Sequence, residues 1–428
     1  ILVLGSCDVL DVKPQSAIKA EDAFKDKAGI EKGILGAYTS FQSLSYYGRS
    51  YLIFSDLSAD NLAHPPDATA LEYAQVDNNA ILPENGSIDG IWASAYEGIN
   101  NANYVIAKVP SMADMTDEEK NKALGELYFI RALNHFNLLN YFGGVPIKTT
   151  PSFGTAGLDV PRDAVADVYN QIVEDLTFAE ENLDESSVKV RASRYAATAL
   201  LARVYLYMGE YDLAKQKATE VIEADYSIID YAAVFADGSA ESIFEIDFTE
   251  LNRNRIAEYN FPKTLNGRRE VAPTISSLEE YEDDDLRYEA TIAFAGSLPY
   301  PVKYDDLSKG ADNVIVLRLA EMYLIRAEAE TNLEGDMDAI QDDINVIRTR
   351  AGLDDTEADT YPTLLLAIEH ERRVEFAFEG HRWFDLVRTD RALAVLPGLE
   401  SVDQTLFPIP LSEITTNTNP GMKQNDGY

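Results

Sequence analysis

The groups in this chain that could carry chemistry are an alternating arginine–glutamate block, an acidic run, four histidines and a surplus of carboxylates. In the block, Glu371, Arg372, Arg373 and Glu375 stand beside Phe376 and Phe378, with His381 placed to suggest a general base. Residues three and four apart on a helix pair their charges, so the alternation is assigned to architecture. Gly380-His381-Arg382-Trp383 reads as a packed corner. Two carboxylates are what a glycoside hydrolase needs. Among 73 Asp and Glu such pairs are inevitable, and spacing in sequence says nothing about approach in space. The run Glu279-Glu280-Tyr281-Glu282-Asp283-Asp284-Asp285 lacks the glycine-turned, alternating ligands of a calcium loop and reads as a solvated charge run. His64, His135, His370 and His381 show no metal spacing. Nucleophile elbows, phosphate loops and dinucleotide fingerprints are missing. The expectation is no catalytic residue, no metal and no cofactor.

The lone cysteine excludes an intramolecular disulfide framework. Leu4-Gly5-Ser6-Cys7 follows Ile1, Leu2 and Val3, and resembles a bacterial lipobox at the end of a secretory signal. Small side chains suit the peptidase, and the thiol takes the lipid, so Cys7 is the expected anchor and residues 1–7 the residual signal. No other stretch approaches the ~20 apolar residues of a membrane span. The expected place is therefore on a membrane by its lipid rather than through it. Charge restricts partners further. Thirty-six Lys and Arg leave a net −37, which repels phosphate backbones and anionic headgroups and argues against nucleic acid. A composition of 46% hydrophobic and 25% charged residues is that of a folded globular protein.

Helical periodicity dominates the elements that must position these groups. Small and aliphatic residues recur from Ala28 to Phe41, and Ile91, Ala95, Ile99 and Tyr104 trace one face between Asp89 and Val109. Trp92 shares the face of Ala95 and Ile99 and is placed in the core. Thr116 can cap a helix running to Phe142, with Gly143, Gly144 and Pro146 stopping it. Helices are expected over Asp163–Leu183, Ser193–Met208, Tyr211–Ala224 and from about Thr363 to Arg388. Leu201, Ala202, Tyr205, Gly209 and Ala214 match the tetratricopeptide pattern, and Leu317–Arg350 repeats a similar helix-turn-helix. Gly, Asn, Asp and Pro punctuate residues 42–88, an expected irregular excursion. Residues 226–314 carry strand signals, Ser242–Phe248 alternating most clearly. The tail from Phe407 reads as extended.

Several blocks together resemble the SusD/RagB family of Bacteroidetes nutrient-uptake lipoproteins. They are Glu126–Phe136 running to Tyr141-Phe-Gly-Gly-Val-Pro146, Leu317–Ala329 with Ile344–Gly352, Glu371–Leu386, and the ending Phe407–Glu413 with Asn417–Tyr428. The resemblance implies a mainly α fold: tetratricopeptide-like helix pairs forming a scaffold, with an inserted irregular subdomain containing short strands. It also implies one composite domain over residues 8–428, with scaffold at about 26–41, 89–225 and 315–390. The insertions at about 42–88 and 226–314 become the ligand face. The implied role is capture of glycans or peptides for a SusC-like TonB-dependent outer-membrane barrel, which performs the transport.

Sugar rings stack their C–H faces on aromatic side chains while their hydroxyls seek polar partners. On the irregular segments this points to Tyr46, Tyr47, Tyr51, His64 and Tyr73, joined by Tyr300 and Tyr304, with Asp60, Asn61 and Arg269 as polar partners. Two other functions compete: a tetratricopeptide scaffold binding protein only, and a glycoside hydrolase.

Overall fold

The computed structural model describes residues 24–154 and 157–428; Cys7, the expected anchor, and residues 1–7 lie outside the described residues. Helix α1 (Lys27–Tyr38) is followed by two short helices, α2 (Ser50–Leu57) and α3 (Leu71–Asp77), before α4 (Gly86–Ile106) returns to pack on α1. Next come α5 (Asp117–Phe142) against α6 (Val165–Asn182), and α7 (Arg194–Met208) against α8 (Tyr211–Ile222). The insertion supplies α9 (Ile256–Asn260), α10 (Ile275–Glu279) and α11 (Arg287–Thr291). Then α12 (Leu319–Asn332) packs on α13 (Met337–Arg350) and, from the preceding pair, on α8. The chain closes with α14 (Tyr361–Glu375), α15 (Arg382–Arg388), α16 (Ala392–Val395) and α17 (Leu411–Thr416). Among the described residues, four such helix pairs thus pack into a scaffold. No helix among the described residues is long and apolar enough to cross a membrane.

Local chemistry sets these helices. Thr116 Oγ1 accepts the Glu119 N–H at 3.2 Å while the Glu119 carboxylate accepts the Thr116 N–H at 2.8 Å, a capping box that starts α5. In α7, Ala196, Ala197, Ala199 and Ala202 are buried, and in α8 so are Ala214 and Ala218. Such small side chains let two helices approach closely. Gly209 ends α7 at φ +75°, a left-handed backbone in which glycine meets no Cβ clash.

Short antiparallel ladders stitch the insertion to the scaffold. β2 (Ser242–Ile246) pairs with β6 (Val314–Arg318), and every residue of both strands is buried. β1 (Leu62–Ala63) pairs with β3 (Ala272–Pro273), so residues 42–88 and 226–314 meet. β4 (Ile292–Ala295) and β5 (Leu298–Pro301) form a hairpin.

Three expectations need correction. Residues 42–88 are not wholly irregular, because α2 and α3 form there. The helix expected to run to Arg388 breaks after Glu375, where Phe378 (φ +67°) and Gly380 (φ +87°) turn the chain. The tail is not wholly extended, since α17 forms in it. The break is held by a group far away in sequence: the Asp56 carboxylate accepts the N–H of Phe378 at 3.1 Å and of Gly380 at 3.2 Å.

Asp56 is fully buried, and burial pushes its carboxyl up to about 6, against the N–H groups of Asn61, Phe378 and Gly380 and the charge of Lys303. The sign follows from linkage. A carboxyl raised above its unfolded value contributes stability that is complete below pH ~4 and is lost as pH rises through about 6. Asp56→Asn is therefore expected to gain on the unsubstituted protein by roughly 2–3 kcal/mol between pH 4 and pH 7. Urea unfolding of both proteins across that range checks it; a variant that loses ground as pH rises would show that the donors outweigh burial.

Candidate ligand-binding site

The tyrosines expected to face ligand form part of the core. Tyr46, Tyr47 and Tyr51 are buried, with ring centroids 5.0, 4.9 and 5.3 Å apart, and Tyr51 stands edge-on to Tyr141. Their hydroxyls converge on one side chain of α5. Asn137 Nδ2 donates to Tyr46 at 2.6 Å and to Tyr47 at 2.9 Å, and its Oδ1 accepts from Tyr51 at 2.8 Å. A tyrosine whose ring is packed and whose hydroxyl is satisfied inside has nothing left to offer a sugar. Burial, the largest cause, pushes the Tyr47 hydroxyl up to about 12. Tyr73 is likewise buried, between Phe54 and Tyr259. Tyr304 is buried with its hydroxyl accepting the Ile315 N–H at 3.2 Å, and Tyr300 packs on Phe261.

The polar partners also serve the fold. Asp60 takes Arg382 Nε at 2.7 Å and Nη2 at 2.9 Å, with Arg373 at 3.2 Å. Buried Asn61 bridges Asp56 and Arg373. His64 is half-buried, its Nε2 enclosed without a partner among the described residues. Arg269 (φ +52°) pairs with Asp67. Beside that pair, the Glu270 carboxylate accepts the N–H groups of Thr69 at 2.8 Å and Ala70 at 2.9 Å. The loops Asp67–Ala70 and Lys263–Arg269 thereby make one continuous surface.

The aromatic-based hollow lies elsewhere. A cleft of about 610 Å³ opens between α4, residues 146–152 and 158–160, and α17, with Trp92, Tyr96, Pro146 and Leu158 among its walls. Trp92 is only 5% exposed, so it presents an edge to the cleft and its body to Phe142 and Tyr96, at 5.1 and 5.0 Å. Helical periodicity places Trp92 inside, and it is inside; the walls that make a cleft above it come from loop and tail segments. A second cleft of about 690 Å³ lies among α7, α12, α14 and α15. Its floor is closed by ion pairs, Arg388 to Glu328 and Asp385, and Arg372 to Asp385 at 2.9 Å. The Tyr207 ring there is already covered by Arg388 and Phe136.

The arginine–glutamate block is an ion-pair core. Arg318, 2% exposed, directs all its N–H donors at acceptors: Glu379 at 2.8 and 2.9 Å, Glu241 at 2.8 Å, and the Glu375 carboxylate and carbonyl at 2.5 and 2.9 Å. Glu375 also meets Arg350 and Arg287. Burial pushes the His381 imidazole well down, with Arg203 and Arg372 adding to it, so the ring is neutral and stacked on Phe376 at 4.7 Å. Glu282, His370 and Glu371 bring ligand-type atoms within 4.8 Å of one another. Arg348 lies on both carboxylates, at 2.6 and 2.7 Å, and supplies the positive charge a cation would bring.

Two family models match the chain: "Starch-binding associating with outer membrane" over residues 8–206, and "SusD family" over residues 298–428. Among curated proteins, SusD-like protein P2 of Formosa agariphila is 26% identical, the match covering 100% of this chain and 98% of that protein. The starch-binding protein SusD of Bacteroides thetaiotaomicron is 26% identical over 73% of this chain and 74% of its own length. Among solved structures, a SusD superfamily protein from Bacteroides vulgatus superposes with a TM-score of 0.87 at 22% identity, covering 95% of this chain and 100% of that one. A laminarin-binding SusD-like protein superposes with a TM-score of 0.83 at 25% identity, covering 95% and 100%. In sequence at both ends and in fold along nearly its whole length, this chain is similar to the proteins of the SusD family.

Proposed function

We propose that the chain captures oligosaccharides at the cell surface and passes them to a SusC-like TonB-dependent barrel in the outer membrane, without catalysis of its own. The observation that carries this reading is its likeness in both sequence and fold, along nearly its full length, to a laminarin-binding relative. The starch-binding relative supports the same ligand class. Three further features fit it. A ligand-sized cleft with an aromatic floor is open to solvent. Net charge of −37 leaves nucleic acid a poor partner. The buried carboxylates of the C-terminal block are engaged by arginines, which suits a support better than an acid–base pair.

Calorimetry against a panel of neutral and anionic polysaccharides tests the reading, with capture of an outer-membrane barrel from native membranes as its second arm. At least one glycan is expected to bind and no new reducing ends to appear on prolonged incubation. Heat from no glycan, with no barrel recovered, would return the chain to a protein-only scaffold. New reducing ends would make it a hydrolase.

A further inference from the structure

We infer that the cleft over Trp92 and Tyr96 seats a neutral pyranose unit and turns anionic saccharides away. The inference rests on the glycan-binding reading and assigns it a place and a charge preference. The floor is apolar, formed by the Trp92 edge, Tyr96, Pro146 and Leu158, and the C–H face of a sugar ring packs on such a surface.

The rim is what selects. Glu97 is exposed and has no hydrogen bond or ion pair among the described residues. Asp159 commits only Oδ1, to the Thr418 N–H at 2.7 Å, and Glu413 only Oε1, to Asn417 Nδ2 at 2.9 Å. Asn100 Oδ1 is taken by the Ser152 N–H at 2.8 Å, which leaves its Nδ2. The cation nearby, Lys148, donates to the Gly157 carbonyl at 2.7 Å. A ligand therefore meets three carboxylates against one ammonium, since Lys148 keeps N–H groups beyond its bond to Gly157, together with the Asn100 amide donor. Such a rim accepts hydroxyl O–H donors and repels carboxylates and sulfates. A wholly apolar occupant would cover the floor but strip water from unpaired acceptors, which is costly. The protein's overall negative charge acts in the same direction on any polyanion that approaches.

The reporter is built in. The chain has two tryptophans, and Trp383 is 0% exposed in the core, so a ligand-dependent change in emission belongs to Trp92. The full chain is titrated with neutral gluco-, manno- and xylo-oligosaccharides, with oligogalacturonate and with oligolysine, by fluorescence and calorimetry together. At least one neutral series is expected to bind and shift the emission, and the exposed-rim double variant Glu97→Gln/Glu413→Gln to weaken it at least tenfold. Trp92→Phe is expected to abolish the emission change and, because the Trp92 edge is part of the floor, to weaken the binding read by heat. Calorimetric binding that is silent in fluorescence and unchanged in the double variant would move the ligand elsewhere, overturning this site and leaving glycan capture intact. Heat with no oligosaccharide, neutral or anionic, would remove both. Preference for oligogalacturonate or oligolysine would overturn the charge argument.

Discussion

Replacing Arg318 by methionine is expected to cost about 3–5 kcal/mol of folding stability, the range for removing one partner of a buried ion pair. The side chain joins β6 to α14 and to the turn that follows it, and it is the common donor to Glu241, Glu375 and Glu379. Methionine fills similar space, so the loss is chiefly that of a buried charge. Arg350 remains on Glu241 and Glu375, Lys303 on Glu379, and Arg287 on Glu375 while shared with Asp285 and Glu371, so these carboxylates then outnumber the three cations. Burial pushes the Glu375 carboxyl up, while Arg350, Arg318 and Arg287 outweigh it and hold the group well below the ordinary range. A carboxyl depressed by folding gives stability that is present above its unfolded value, near pH ~4.3, and is lost as pH falls. Arg318→Met should therefore also move acid unfolding to higher pH. Urea unfolding at several pH values reads both effects. Adding Glu241→Gln is expected to recover part of the loss, because the neutral amide removes one of the crowded carboxylates and leaves Arg350 to Glu375. Simple additivity of the two changes would mean that the network is only packing.

How much of this was legible depends on how far a residue's partner lies along the chain. The start of α5 needs only Thr116 and Glu119, three residues apart, and was readable from those two alone. The alternating charges of Glu371–Asp385 signalled architecture. Their partners Arg318, Arg287 and Asp56 come from other elements, and so does the break after Glu375. Tyrosine was ambiguous in principle, since a half-polar ring suits either a cleft or a core that holds one polar side chain. Asn137 decides the matter for Tyr46, Tyr47 and Tyr51 from some 90 residues away. An asparagine inside the apolar face of α5 was the available signal. Trp92 shows the converse. Its helical position fixes the core side of the ring, while the cleft beside it depends on α17, which only the folded chain brings near.

Cys7→Ala is expected to shift the protein from almost wholly membrane-bound to almost wholly soluble, the largest functional effect of any single change proposed. No helix among the described residues is long and apolar enough to span, and a net −37 is repelled by anionic headgroups. If Cys7 is the anchor, attachment would rest on acyl chains, each buried CH2 contributing about 0.8 kcal/mol. One chain alone binds reversibly, at roughly 10⁴ M⁻¹, whereas two or more together hold firmly. The intact mass of the native protein should carry that multiple acylation on Cys7, and fractionation of cells expressing the variant reads the release. The barrel complicates the reading, because docking to it would retain some protein without lipid. A high-salt wash separates the two cases: screening weakens contacts between exposed charges but leaves acyl insertion untouched. Variant protein that stays in the membrane after that wash would mean the anchor is not Cys7.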